Sequence, residues 1–182
     1  MKVLMFAGSL RKESLNKKLL NVAKKILAGN QSIEILEADL QELQFPVYDG
    51  DIEARGIPES VNKLAQLVVK ADAIIIASPE YNGSISSPLK NTIDWVSRVR
   101  PNPLAKKQIL LLGASPGELG AMRGLSHARA PFEALGNFVY PQPFGLPKAD
   151  QAFDQNVNLK DNDKHERLQK LITAFIAYSG SN

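Results

Sequence analysis

The sequence predicts an α/β domain wound on both faces of a parallel sheet. Three observations carry this. Apolar runs alternate five times with amphipathic helical patterns along the 182 residues. Ile74-Ile75-Ile76 and Ile109-Leu110-Leu111-Leu112 are continuous rather than alternating, as in strands buried on both faces. Segments rich in Gly, Ser, Pro and Asn follow the first, third and fourth apolar runs, at the sheet edge where such folds bind ligands.

Strands are expected at residues 2–7, 32–38, 73–78, 108–114 and 137–140. The first helix carries Leu15, Leu19, Val22, Ala23 and Ile26 on one stripe and ends at Gly29-Asn30. The second spans 58–70, with Val61, Leu64, Ala65 and Val68 inward and Pro58 in its first turn. Leu89, Ile93 and Val96 form a third stripe, on which Asp94 and Arg98 are spaced as an i,i+4 pair. The fourth helix covers 121–135 and must accommodate Pro131. The last runs from about 163 to 178, with Leu168, Leu171, Ile172 and Phe175 inward. Two long connections remain, 41–57 and 141–162, the second Asn/Asp-rich and expected to be mobile. No composition shift divides the chain, so residues 1–182 read as one domain.

With 44% hydrophobic and 23% charged residues, the chain can bury a core and is not a disordered type. The formal net charge of +3 is not gathered into a basic block, so no nucleic-acid partner is expected. No apolar run approaches the roughly 20 residues of a membrane span, and the first is too short for a signal peptide. Cysteine is absent, which excludes disulfides, thiolate metal sites and thiol redox chemistry. The expected location is the cytoplasm, and no metal site is expected.

The loop at 8–16 stands between a buried strand and a helix N-terminus, where free N–H groups and a partial positive charge favour an anion. Gly8 permits a tight turn. Ser9, Ser14 and Asn16 offer groups for phosphate oxygens, and Arg11 offers a full charge. Neither Gly-x-x-x-x-Gly-Lys-Ser/Thr nor Gly-x-Gly-x-x-Gly occurs, which argues against an NTPase loop and a standard dinucleotide fold. A single phosphate monoester remains. The loops beginning at Ser78 and Ala114 supply backbone donors and the Tyr81 ring, which suits a flat heteroaromatic.

GSLRKESLN, PEYNGSISSPLKNTIDW and SPGELGAMRG together resemble the NADPH-dependent FMN reductase family, a flavodoxin-like group that includes chromate, quinone and azo-compound reductases. The likeness covers nearly the whole chain in motif order and spacing. It implies a flavodoxin-like, doubly wound five-stranded parallel sheet in the order 2-1-3-4-5, with FMN at the strand ends. It implies that Ser9, Arg11, Ser14 and Asn16 hold the FMN phosphate, with backbone contacts from Leu10 and Leu15. Pro79, Glu80, Tyr81 and Asn82 would run along the isoalloxazine, Gly83 would allow close approach, and Ser115, Pro116 and Gly117 would bond its pyrimidine edge. The implied activity is hydride transfer from NADPH or NADH to FMN, then two-electron reduction of a small-molecule acceptor: a quinone, chromate, an azo compound or free flavin. A homodimer or homotetramer is also implied. The chain departs from the family at Ser86-Ser87-Pro88, where many members have Pro-Gly, and at Gly120-Ala121-Met122, where Gly-Gly is commoner.

Each of these residues also has a plainer reading. Ser14 before Leu15 would cap a helix without any ligand. Tyr81 would be a half-buried loop tyrosine. Glu80 needs no general-base role, because hydride transfer to flavin uses no protein base; an orienting hydrogen bond is expected. Trp95 is read as core or as an oligomer interface, Tyr140 likewise, and His127 as a polar helix residue. Arg123 and Arg129 are solvated helix charges, or else contacts to an interface or to the NADPH phosphate. The rival function is a flavodoxin-like electron carrier that binds FMN without turning over pyridine nucleotide. Such carriers tend to be acidic, and this chain is mildly basic.

Overall fold

Alternation along the central strands decides the layering. In the computed structural model, which describes residues 1–180, Leu4, Phe6, Ile74, Ile76, Ile109 and Leu111 belong to one buried cluster. Val3, Met5, Ile75, Leu110 and Leu112 belong to another on the opposite sheet face. The uninterrupted apolar runs follow directly, because successive side chains point to opposite faces and both faces are covered.

The chain order is β1 (Lys2–Ala7), α1 (Leu15–Ala28), β2 (Glu34–Ala38), α2 (Leu40–Leu43), α3 (Gly50–Glu53), α4 (Glu59–Lys70), β3 (Ala73–Ala77), β4 (Glu80–Tyr81), β5 (Ser84–Ile85), α5 (Ser87–Val96), β6 (Gln108–Ala114), α6 (Met122–Ala134), β7 (Phe138–Val139), β8 (Phe144–Leu146) and α7 (Asn162–Gly180). The main sheet is parallel in the order β2-β1-β3-β6-β7, with β8 also paired to β6. α1 and α7 cover one face, while α4, α5 and α6 cover the other. This is the flavodoxin-like 2-1-3-4-5 order with its fifth strand split in two. β7 pairs with the start of β6 (Gln108↔Phe138) and β8 with its end (Leu112↔Phe144). Pro141 and Pro143 lie in the gap and cannot donate to a ladder. The single strand expected at 137–140 therefore shortens to two residues and resumes at Phe144.

Other expectations change in detail. The connection at 41–57 contains two short helices, α2 and α3, capped by Asp39 and Asp49. Pro58 is the N-cap residue of α4, outside its first turn, and Gly29 closes α1 with right-handed φ/ψ. Pro131 lies within α6. Asp94 pairs backward with Lys90 (2.7 Å) and not forward with Arg98. The Arg98 guanidinium lies 5.1 Å from the Tyr48 ring centroid and 3.8 Å from Glu53, both brought by the connection before α4. The segment expected to be mobile is anchored: Lys25 donates to Asn156 O (2.7 Å) and Asn158 Oδ1 (2.8 Å). Asp154 accepts the N–H groups of Asn156 and Asn158, both at 2.8 Å.

Trp95 is wholly buried, with Nε1 donating to Pro46 O (2.8 Å) and its ring edge-on to Tyr48. It belongs to the core, which removes it as an interface residue. Tyr140 stacks edge-on against Phe175 and Tyr178. Among the described residues, no helix is long and apolar enough to cross a membrane.

Candidate functional site

Parallel pairing brings the carboxyl ends of β1, β3 and β6 side by side, with Ala7 opposite Ala77 and Ala77 opposite Leu112. The three loops singled out from the sequence leave from these ends.

The first loop turns at Gly8, whose N–H still bonds Ala77 O (2.8 Å). A Cβ on Gly8 would sit 2.9 Å from Ser78 Oγ and 3.0 Å from Leu89 Cβ, so the turn tolerates only glycine without movement. Ser9 is buried, and its Oγ accepts Arg11 N–H (3.4 Å). Ser14 caps α1, accepting the N–H groups of Asn16 and Lys17. Leu10 and Arg11 stand exposed. The backbone N–H groups of Leu10 and Leu15 bond no acceptor among the described residues. Two free N–H groups, buried hydroxyls and an unpaired guanidinium beside a helix N-terminus fit a phosphate ester.

Asn16 makes a long-range contact that the sequence did not announce. Its side chain is buried and takes Ala114 from both sides, Oδ1 accepting Ala114 N–H (2.8 Å) and Nδ2 donating to Ala114 O (2.9 Å). A contact 98 residues away thus pins α1 to the end of β6 through this amide and leaves one Nδ2 proton uncommitted.

The second loop is a small hairpin. Glu80 pairs with Ile85 and Tyr81 with Ser84, and Asn82 (φ 51°) and Gly83 (φ 73°) make its two-residue turn. Positive φ at both positions explains the Asn-Gly pair. Tyr81 is 44% exposed. Glu80 points back: its side chain is only 8% exposed, and its carboxylate accepts Arg123 Nε (2.8 Å) and the N–H groups of Arg123 and Gly124 (both 3.1 Å). It therefore caps α6 and welds the hairpin to it. Gly124 permits this approach, since a Cβ there would lie 2.9 Å from Ser84 O. His127 Nδ1 adds a 3.1 Å contact to Ser84 Oγ. Arg123 is thus an internal partner of the hairpin. Arg129 bonds the carbonyls of Tyr140 (2.9 Å) and Val139 (3.2 Å).

Burial alone would raise the Glu80 carboxyl pKa. Hydrogen bonds from Arg123 and the Gly124 N–H, with the guanidinium charge, outweigh it and hold the pKa below the ordinary glutamate value. A depressed folded pKa means the stabilisation is complete above the unfolded value and is lost as pH falls through the folded one. Glu80→Gln should therefore lower stability at neutral pH, with the gap to the parent closing on acidification. Thermal melts from neutral to acid pH test this; a constant gap would show that the charge is irrelevant.

The third loop holds Ser115, Pro116 and Gly117. Ser115 Oγ accepts Gly117 N–H (3.0 Å), while Ser115 N–H bonds Leu146 O and Ala149 N–H bonds Ser115 O. Pro116 and Gly117 are exposed, and Leu119 beyond them is 52% exposed. The loop is braced from below by the chain following β8, and its outer surface is open.

Sequence reasoning noted Ser86 and Gly120 only as departures from the family and Arg123 as a surface or NADPH-phosphate charge, and gave Ser78 no role of its own. The Asn-Gly pair signals the hairpin, and a serine three residues before Leu89 signals a cap. Nothing local announces that Glu80 reaches across 43 residues to α6.

A sequence model described as NADPH-dependent FMN reductase matches residues 1–151. The chain is 35% identical over 175 residues to an NAD(P)H-dependent FMN reductase of Pseudomonas aeruginosa, covering 96% of this chain and 92% of that one. It is 36% identical over 178 residues to a quinone reductase of Escherichia coli, at 96% and 93% coverage. Among solved structures, the flavoenzyme NAD(P)H:(acceptor) oxidoreductase FerB of Paracoccus denitrificans superposes with a TM-score of 0.85 at 30% identity, covering 99% of this chain and 97% of that one. The chain belongs to the NADPH-dependent FMN reductase family.

Proposed function

We propose that this chain is an FMN-dependent NAD(P)H oxidoreductase that reduces small-molecule acceptors by two electrons. The observation that carries it is the convergence of an anion-ready loop and two ring-sized loops on one sheet edge, in a chain of this family. FMN held by these loops would supply two-electron redox chemistry, with NADPH or NADH as hydride donor and a quinone, chromate, an azo compound or free flavin as acceptor in ping-pong order.

The residues bind and orient. Ser9, Leu10, Arg11, Ser14 and Leu15 receive the phosphate through hydroxyls, free N–H groups and one guanidinium. Asn16 holds α1 against β6 and offers its remaining Nδ2 proton to the phosphate. Pro79, Glu80, Tyr81, Asn82 and Gly83 form the hairpin wall along the ring, with Glu80 turned inward to keep that wall on α6. Ser115, Pro116 and Gly117 line the pyrimidine edge, where the Gly117 N–H, turned from Ser115 Oγ to the ring, would favour the two-electron-reduced form. No protein acid or base is assigned. Exposed Leu10, Tyr81 and Leu119 beside these loops support a homodimer or homotetramer. The absence of cysteine supports a cytoplasmic location.

Purified protein should be yellow, bleach anaerobically with NADPH or NADH, and regain colour with a quinone. A flavoprotein that never bleaches with either nucleotide favours the electron carrier. Arg11→Ala and Ser9→Ala should each weaken FMN binding by about 1–3 kcal/mol, the range for charged or buried hydrogen bonds. Unchanged FMN retention in the double variant would refute this placement of the phosphate.

A further inference from the structure

Between the exits of β1 and β3 lies a buried pair of hydroxyls with no counterpart in the reading so far. Ser86 is fully buried and Ser78 is 2% exposed. Ser86 Oγ lies 2.7 Å from Gly8 O, 3.1 Å from Ser78 Oγ and 3.4 Å from Leu89 N. The proton assignment follows from what each group can do. A carbonyl only accepts, so the Ser86 proton goes to Gly8 O. The Leu89 N–H only donates, so it points at Ser86 Oγ and caps α5. The Ser78 proton is then shared between the second lone pair on Ser86 Oγ (3.1 Å) and Pro79 O (3.2 Å).

An ordinary N-cap serine accepts from its own helix and stops there. This one also bonds two other elements: Gly8, which opens the phosphate loop, and Ser78, which opens the hairpin loop. The Gly8 Cβ position, 2.9 Å from Ser78 Oγ and 3.2 Å from Ser86 Oγ, shows how closely the three are packed.

We propose that Ser86 is a positioning residue that fixes the spacing between the phosphate loop and the ring loops. This rests on the function proposed above. A ligand with a phosphate at one end and a ring at the other binds as two linked modules. Its advantage over the ring alone depends on how well the second half-site is held where the linker reaches. A loosened junction leaves each half-site locally intact and reduces the benefit of occupying both.

The test compares FMN with riboflavin, which has the ring and ribityl chain but no phosphate, titrated into flavin-free protein. Ser86→Ala should lower the FMN-to-riboflavin affinity ratio about tenfold, with riboflavin affinity within threefold of the parent. Ser78→Ala, which keeps the α5 cap and the Gly8 bond, should lower the ratio in the same direction by a smaller factor. Ser87→Ala, at an exposed neighbour, should leave it unchanged. Thermal melts of each flavin-free variant confirm folding. Equal loss of both flavins in Ser86→Ala, or an unchanged ratio in Ser78→Ala, overturns the coupling and leaves the serines as scaffold alone. A parent protein that binds neither flavin overturns instead the function on which the coupling rests.

Discussion

Replacing Gly120 with alanine is expected to destabilise the protein by about 2–5 kcal/mol and to weaken flavin binding with it. Two costs add. Gly120 sits at φ +57°, where a Cβ crowds its own carbonyl, at about 1–2 kcal/mol for an L-residue. That Cβ would also lie 2.7 Å from Leu146 C and Pro147 N and 2.8 Å from Leu146 N. These are backbone atoms at the end of β8, one of them in a proline ring, so no side chain can swing aside. Overpacking of this kind typically costs about 1–3 kcal/mol. The strain falls on the segment that joins Ser115–Gly117 to α6, so the ring-edge loop must shift. Gly117→Ala is the matched comparison: its Cβ would meet only Ser115 Oγ, at an ordinary 3.4 Å. Melting and FMN titration of both variants check this. Equal behaviour of the two would mean that the 120–147 crossing does not hold the loop.

The same crossing shows what could be read in advance. Composition marked 115–120 as a ligand loop, because Gly, Ser and Pro signal a turn without reference to the rest of the chain. The chain passing beneath it could not be read, because Phe144-Gly145-Leu146 is too short to register as a strand and is fenced by prolines. Periodicity likewise found the five α/β alternations, since burial on both sheet faces leaves an unbroken apolar run. Pairings that depend on distant chain were not legible. Asp94 had two helical partners at equal spacing, and the choice was made by Tyr48 and Glu53 drawing Arg98 away. Arg11 stands exposed on the first loop, while Ser9 is buried beneath it. The bond of the Asn16 amide to Ala114 was not legible either, because that partner comes from a strand 98 residues away. Short polar side chains in a turn announce hydrogen bonding but not the partner.

Trp95 presents the same problem in the core, and its replacement by alanine is expected to cost about 3–5 kcal/mol, the range for removing a large buried aromatic. As the only tryptophan, near a sheet edge thought to bind ligand, it invited an interface role. The structure buries it completely beneath the connection that carries Pro46 and Tyr48. That connection is fastened to α5 at three points: Trp95 Nε1 and Asn91 Nδ2 both donate to Pro46 O, and Tyr48 N–H donates to Asn91 Oδ1. Truncation to alanine empties the space and removes one of the three. For a chain of this size the melting temperature should fall by roughly 6–20 °C. Trp95→Phe separates the contributions, since it retains most of the ring and loses the Pro46 bond, which is worth about 1 kcal/mol while Asn91 still satisfies the carbonyl. Circular dichroism suits the comparison, because both variants lose the sole tryptophan fluorophore. An alanine variant within 1 kcal/mol of the parent would place Trp95 outside the core, and reopen the interface that its burial now closes.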